Sequence, residues 1–305
     1  MHKLLVLLFI FSATNLATAK LMAQSGNTPP HVLVVMAHPD DESAISVTLY
    51  KIAKEQHGTV DLFVITNGEA GFKYSSLAEL YYNLKLADEK DGKANLPRIR
   101  KQELINAGKI LGVSQYYFLN QPDAHFGLNE KEPIDTSWNV QLIEKQLKQL
   151  LLKHNYDYVF CMLPTPGTHG EHKAATLLAL NVVVLLPANQ RPIILGANTR
   201  NKTDTTTRFS QYKNYAETKV ITDTPLFKLD RTTGFSYKNR VNYKVIANWE
   251  IAEHKSQGYT QMTMNDGDLE EFWYFSLNGN HGIEKCAKLF NLLRQVPVPF
   301  HANYK

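Results

Sequence analysis

The run His31-Val32-Leu33-Val34-Val35-Met36-Ala37 constrains the fold more than any other part of the sequence. It is rich in β-branched residues and has no polar residue after His31. A strand with one wet face would alternate apolar and polar positions. This run does not alternate, so it belongs at the centre of a parallel sheet covered on both faces. The next five residues, His38-Pro39-Asp40-Asp41-Glu42, set four ionisable side chains at the carboxyl end of that strand. Such a group is too costly for a core and too organised for an ordinary surface turn.

Further elements follow in alternation. Ser43 to Gln56 reads as a helix and Val60 to Thr66 as a second strand ended by Asn67-Gly68. Residues 69–96 are polar and Tyr-rich and read as a long insertion, with Lys90-Asp91-Gly92-Lys93 at a surface turn. Arg98 to Leu111 reads as a helix closed by Gly112, Gln115 to Leu119 as a short strand and 120–137 as a loop. Trp138 to His154 is an amphipathic helix, Tyr156 to Leu163 a fourth strand, His172 to Leu186 a buried helix and Arg191 to Ala197 a fifth strand. The order predicts an α/β fold: a Rossmann-like, doubly wound, mostly parallel sheet with helices on both faces. Residues 198–240 lack helical periodicity and predict hairpins or an irregular lobe. Lys244 to Gln257 predicts a late helix and Phe272 to Leu277 an edge strand.

The ends of the chain read separately. Met1-His2-Lys3 is short and basic, Leu4 to Ile10 is apolar, and Ala17-Thr18-Ala19 is a small-x-small cleavage site. This predicts a signal peptide over 1–19, cut near Ala19, and a secreted or periplasmic protein with no stable membrane span. A flexible leader over 20–30 precedes one domain over 31–290, divided into a core of 31–200 and a C-terminal elaboration of 201–290. A tail over 291–305 follows. The formal net charge is +4, or +3 once Lys3 leaves with the leader, and no basic run exceeds three residues. Nucleic acid is therefore not an expected partner. The oligomeric state is not legible. Two cysteines exclude a disulfide framework and a four-thiolate zinc site; Cys161, in an apolar run, reads as a small buried hydrophobe.

A dinucleotide site would need a glycine-rich first turn, and none follows Ala37. His and Asp instead suit a divalent metal. A second group, His169-Gly170-Glu171-His172, follows the fourth strand. In a doubly wound sheet the first and fourth strands are neighbours, so both loops face one crevice. His38, Asp41 and one or both of His169 and His172 can thus converge on a His₂Asp site with an open position. One carboxylate of the adjacent pair can hold metal while the other takes a proton. One histidine can ligate while the other stabilises an oxyanion. The spacing alone does not say which is which.

Ala37-His38-Pro39-Asp40-Asp41-Glu42 resembles the signature of the PIG-L/LmbE family of zinc-dependent N-deacetylases, which act on N-acetylglucosamine-type compounds. Further segments are similar to that family in order: Thr66 to Gly71, the Arg100-x-x-Glu103 helix, Pro122-Asp123, His169-x-x-His172 and, loosely, His254-Lys255-Ser256-Gln257. The resemblance implies that His38, Asp41 and His172 bind one Zn2+ per chain. It implies that Asp40 is the general base activating water, and that His169 stabilises the tetrahedral intermediate and serves the leaving amine. The implied substrate is an N-acetylated amino sugar or glycoconjugate, with acetate as a product.

Arg100, Glu69 and Asp123 are candidate substrate-binding residues. Arg100 reads equally as a solvated helix residue, and Glu69 and Asp123 as ordinary turn residues or as support for His169. His125 and His254 read as solvated. Phe72, Tyr81 and Tyr82 would either stack on a sugar or anchor the insertion. Glu171 stands where the family often has Asp, and Thr168 where it has Pro. Two rival readings use the same scaffold: another metal-dependent amidase or esterase, and a non-catalytic carbohydrate-binding protein.

Overall fold

The computed structural model describes residues 28–296. The expected signal peptide, residues 20–27 of the expected leader and residues 297–305 of the expected tail lie outside them. Seven strands form one sheet in the order β3-β2-β1-β4-β5-β9-β6. They are β1 His31–Met36, β2 Thr59–Thr66, β3 Gln115–Gln121, β4 Tyr158–Met162, β5 Ile193–Arg200, β6 Phe227–Asp230 and β9 Leu269–Tyr274; a separate small hairpin pairs β7 Gly234–Phe235 with β8 Val241–Asn242. The pairs β1–β2, β2–β3, β1–β4 and β4–β5 are parallel, and β9 runs antiparallel to both β5 and β6.

β1 lies at the centre because both its faces are apolar. Leu33 and Val35 enter one core with Ile143, Leu147, Val159 and Ala179, while Val32 and Val34 enter the other with Leu49, Ile52 and Leu104. Helices cover both faces. Among them are α1 Ser46–Tyr50, flanked by a 3-10 turn over Asp41–Ile45 and a π turn over Lys51–Glu55, α2 Ala78–Tyr82, α3 Glu89–Leu111, α4 Val140–His154 and α5 Gly170–Val184. The chain leaves β1 toward β2 and β3 on one side and returns to β4 on the other, so the crevice expected where the strand order reverses opens between β1 and β4. Among the described residues no helix is long and apolar enough to cross a membrane.

The structure corrects several sequence expectations. Lys90-Asp91-Gly92-Lys93 is not a surface turn. Asp88 caps α3 by accepting from the Asp91 amide, and the helix runs through Gly92 and Pro97. Gly92 is needed there for close approach, since a Cβ would lie 2.3 Å from the Leu86 carbonyl oxygen. The insertion is short helical segments rather than loop, with Phe72, Ala78, Leu86, Leu96 and Ile99 in a small core of their own. β9 is an inner strand, because β6 from the irregular lobe pairs outside it. Its buried Glu270 and Glu271 are neutralised by Arg231 and Arg200. The late helix, α6 Lys244–Ile251, stops short of Gln257 and is followed by turns and a single turn of helix, α7 Gly258–Gln261; the final helix is α8 His281–Leu293.

Candidate active site

The first motif folds as a tight turn off β1. The Asp40 and Asp41 amides both donate to the His38 carbonyl, and Asp41 Oδ2 accepts from the amides of Ala37 and His38, each at 2.9 Å. This leaves Asp41 Oδ1 facing the second motif, where it lies 2.9 Å from His172 Nε2 and 3.5 Å from His38 Nδ1. His38 Nδ1 and His172 Nε2 are themselves 2.9 Å apart. His169 stands at the N-terminus of α5, with its ring 5.1 Å from that of His38 and 5.3 Å from that of His172. His38, Asp41, His169 and His172 therefore meet at the carboxyl ends of β1 and β4, with Asp40 next to Asp41 in the same turn.

The donor set suits a metal. A tetrahedral zinc with bonds of 2.0–2.1 Å sets its ligand atoms about 3.3 Å apart, close to the three separations above. The histidine ring nitrogens of His38, His169 and His172 also lie within 4.8 Å of one another. The acidic and basic groups of the cluster also perturb one another strongly. Burial opposes charge on His38, yet Asp41, Glu171 and Asp123 hold its imidazole well above the ordinary value. Burial likewise opposes charge on Asp41, and His172 and His38 outweigh it, holding the carboxyl well below its ordinary value. Burial, then His38 and His172, push the His169 imidazole down to about 3.

Asp40 takes a different environment from its neighbour. Its Oδ1 accepts from Arg100 Nη2 at 2.6 Å, and Oδ2 accepts from Thr260 Oγ1 at 2.6 Å. Burial raises its carboxyl, but Arg100 prevails and the net shift is downward. Arg100 is thus not a solvated surface residue. Its side chain is 2% exposed and also donates to the Gly68 carbonyl. Gly68 has φ +69°, and a Cβ there would overlap the guanidinium.

Asp123 is buried and lies with Glu171 within 4.8 Å of His38, its Oδ2 accepting from the Ala70 amide at 3.0 Å. Glu69 is half-buried; burial raises its carboxyl, with Asp123 and Glu171 adding to the effect. Of the insertion aromatics, Phe72 packs in the small core and Tyr82 Oη donates to Glu103 at 2.7 Å, so both anchor the segment; Tyr81 is exposed. Cys161 and Cys286 are buried and unpaired. His254 was expected in solvent but is fully buried, with Nε2 2.8 Å from Glu42 and 3.0 Å from Glu250.

Three residues near the site were given no role by the sequence. Glu171 Oε2 is 2.9 Å from His38 Nε2, and burial, the largest influence on its carboxyl, leaves it raised. Its place between two histidines was the only signal. Phe126, 76% exposed, stacks on His169 at 5.0 Å with an interplanar angle of 3°. Thr260 had no local signal at all. A cavity of about 400 Å³ lined by Lys51, Lys202, Lys228, Tyr243 and Arg294 among others shares no residue with this cluster.

Residues 33–183 match the family model described as PIG-L, GlcNAc-PI de-N-acetylase. A probable N-acetyl-alpha-D-glucosaminyl L-malate deacetylase 2 of Bacillus cereus is 25% identical over 164 residues, covering 54% of this chain and 66% of that protein. Its namesake in Bacillus subtilis is 26% identical over 175 residues, covering 56% and 69%. The matched region thus spans just under two thirds of the first relative's length. Among solved structures, N,N'-diacetylchitobiose deacetylase from Pyrococcus horikoshii aligns with a TM-score of 0.47 at 19% identity, covering 79% of this chain and 82% of that one.

Proposed function

Because the chain belongs to the PIG-L/LmbE-like deacetylase family, we propose that it is a metal-dependent hydrolase that removes the acetyl group from an N-acetylated amino sugar. The observation that carries this reading is the meeting of His38 Nδ1, Asp41 Oδ1 and His172 Nε2 within 3.5 Å of one another, beside Asp40 and His169. His38, Asp41 and His172 would hold the metal, with zinc suiting the donor set. Bound there, the ion would supply Lewis-acid polarisation of the acetyl carbonyl and lower the pKa of water.

The chain's own groups account for the proton movements. Asp40, charged beside Arg100, would take a proton from the attacking water. As the C–O bond forms, His169 would donate an N–H to the developing oxyanion. When the C–N bond breaks, the proton held by Asp40 passes to the departing nitrogen, directly or through His169. The products are acetate and a free amine. Asp123 and Glu171 would orient His38, and Arg100 acts on Asp40; a direct substrate contact by Arg100, Glu69 or Asp123 remains part of the same proposal. Residues 31–290 would form one catalytic domain. An export signal over residues 1–19 would place it outside the cytoplasm, where an envelope or environmental amino sugar is the fitting substrate.

The test is metal content together with acetate release from N-acetylglucosamine mono- and oligosaccharides and muropeptides, with Asp40→Asn in parallel. About one metal per chain, with acetate from the parent and little from the variant, is expected from one-ion acid–base hydrolysis. Metal without acetate from any of these would move the reading to another amide or ester. Sugar binding with neither metal nor turnover would favour a binding protein.

A further inference from the structure

Asp40 is gripped from two sides, and one grip comes from outside the region matched by the family model. Thr260, on α7, lies beyond residues 33–183, yet its hydroxyl donates to Asp40 Oδ2 at 2.6 Å. The segment leading to it is tied down step by step. His254 meets Glu42, the last residue of the first motif, and Glu250; all three side chains are fully buried. The Ser256 amide and hydroxyl both donate to the Glu103 carboxylate, at 2.8 and 2.6 Å. The Ser256 carbonyl accepts from Ser75 Oγ at 2.7 Å. Glu103 lies one helical turn from Arg100 on α3, so the helix that holds the arm also supplies the second grip on Asp40.

We propose that residues 254–260 form a positioning arm, in which the Thr260 hydroxyl works with Arg100 to hold the Asp40 carboxylate in one orientation beside the metal donors. The carboxylate torsion of an aspartate is broad and two-fold, so a single donor leaves the plane free to rock. Two donors on different oxygens define it. A general base depends on geometry before pKa, and small misplacement of such a group costs rate. Thr260 is thus a positioning residue rather than a catalytic one. The inference rests on the reading of Asp40 as the base.

Thr260→Val keeps the shape and removes the hydroxyl, and Thr260→Ser keeps the hydroxyl. On the metal-loaded full chain, Thr260→Val is expected to lower kcat on the order of tenfold, the scale of one lost hydrogen bond to a charged group. KM should stay within about twofold and metal content at the parental level, because the bond is to the base and not to substrate or metal. Thr260→Ser should recover most of kcat. Parental kcat in Thr260→Val, or equal losses in both variants, would overturn the inference while leaving the deacetylase reading intact. If the parent releases no acetate, that reading fails, and a crystal structure of metal-loaded Thr260→Val decides the arm. A turned Asp40 carboxylate upholds the inference, and an unchanged one overturns it.

Discussion

Glu171 Oε2 sits 2.9 Å from His38 Nε2, the ring nitrogen that Asp41 and His172 leave free. A histidine whose outer nitrogen is held by a carboxylate has its tautomer and ring orientation set for binding through the inner one. Glu171→Ala should therefore weaken metal binding about 10–100-fold without removing a ligand. Competition with a chelator of known affinity measures this. Unchanged affinity in a folded variant would show that Glu171 merely fills space.

The neighbouring aspartates should separate cleanly. Asp41 has one oxygen on two backbone amides and the other among the histidine donors, whereas Asp40 faces Arg100 and Thr260. Asp41→Asn is expected to lose metal and, with it, activity. Asp40→Asn should retain metal and lose activity by about 10²–10⁴-fold, the usual weight of a general base. Metal analysis of both variants beside their acetate release checks the division. Equal metal loss in both would refute it.

Arg100 gives a third contrast. Its side chain is 2% exposed and its partners are Asp40 and the Gly68 carbonyl, so its removal leaves the part-buried Asp40 carboxylate with the Thr260 hydroxyl alone. Arg100→Met should cost about 2 kcal/mol of stability, the scale of a lost hydrogen bond to a charged group, and should lower kcat with little change in KM. Raised KM at parental kcat would instead mark a residue that binds substrate uniformly. Thermal unfolding and steady-state kinetics on one preparation give both numbers.

The parts of this fold that repeat a simple pattern were legible in the sequence. β1 carries its central position in its own composition, and the two histidine motifs sit where strands β1 and β4 end, so the strand order alone brings them together. What was hidden depends on pairs remote in sequence. Thr260 reaches Asp40 across 220 positions, and His254 reaches Glu42 across 212. A lone histidine in a polar stretch looks solvated until a buried carboxylate is known to face it. Gly92 misled for a related reason: glycine near charged residues signals a turn, but here the Leu86 carbonyl crowds the helix and only glycine fits. β9 looked like an edge because the short β6 strand that covers it has too little pattern to be read.

Glu130 should make the protein acid-sensitive at a point apart from the catalytic cluster. The residue is fully buried, and its carboxylate accepts from Tyr212 Oη at 2.5 Å and Lys213 Nζ at 3.0 Å, joining the 120–137 segment to the irregular lobe. Burial alone would raise this carboxyl, but the Tyr212 hydroxyl, its own backbone contact and Lys213 outweigh it and draw it from 4.5 down to about 2. The folded-state value lies below the unfolded one, so the ionised carboxylate favours the folded state. That stability is fully present above about pH 4.5 and is lost as pH falls toward 2. A depression of this size corresponds to at most about 3 kcal/mol at neutral pH. Glu130→Gln keeps the shape and removes the charge. Urea unfolding from pH 7 to pH 3 should show the variant less stable than the parent at pH 7, with the gap narrowing as the pH falls below 4.5. A gap that stays constant across that range would mean that Glu130 supports the lobe through packing and not through its charge.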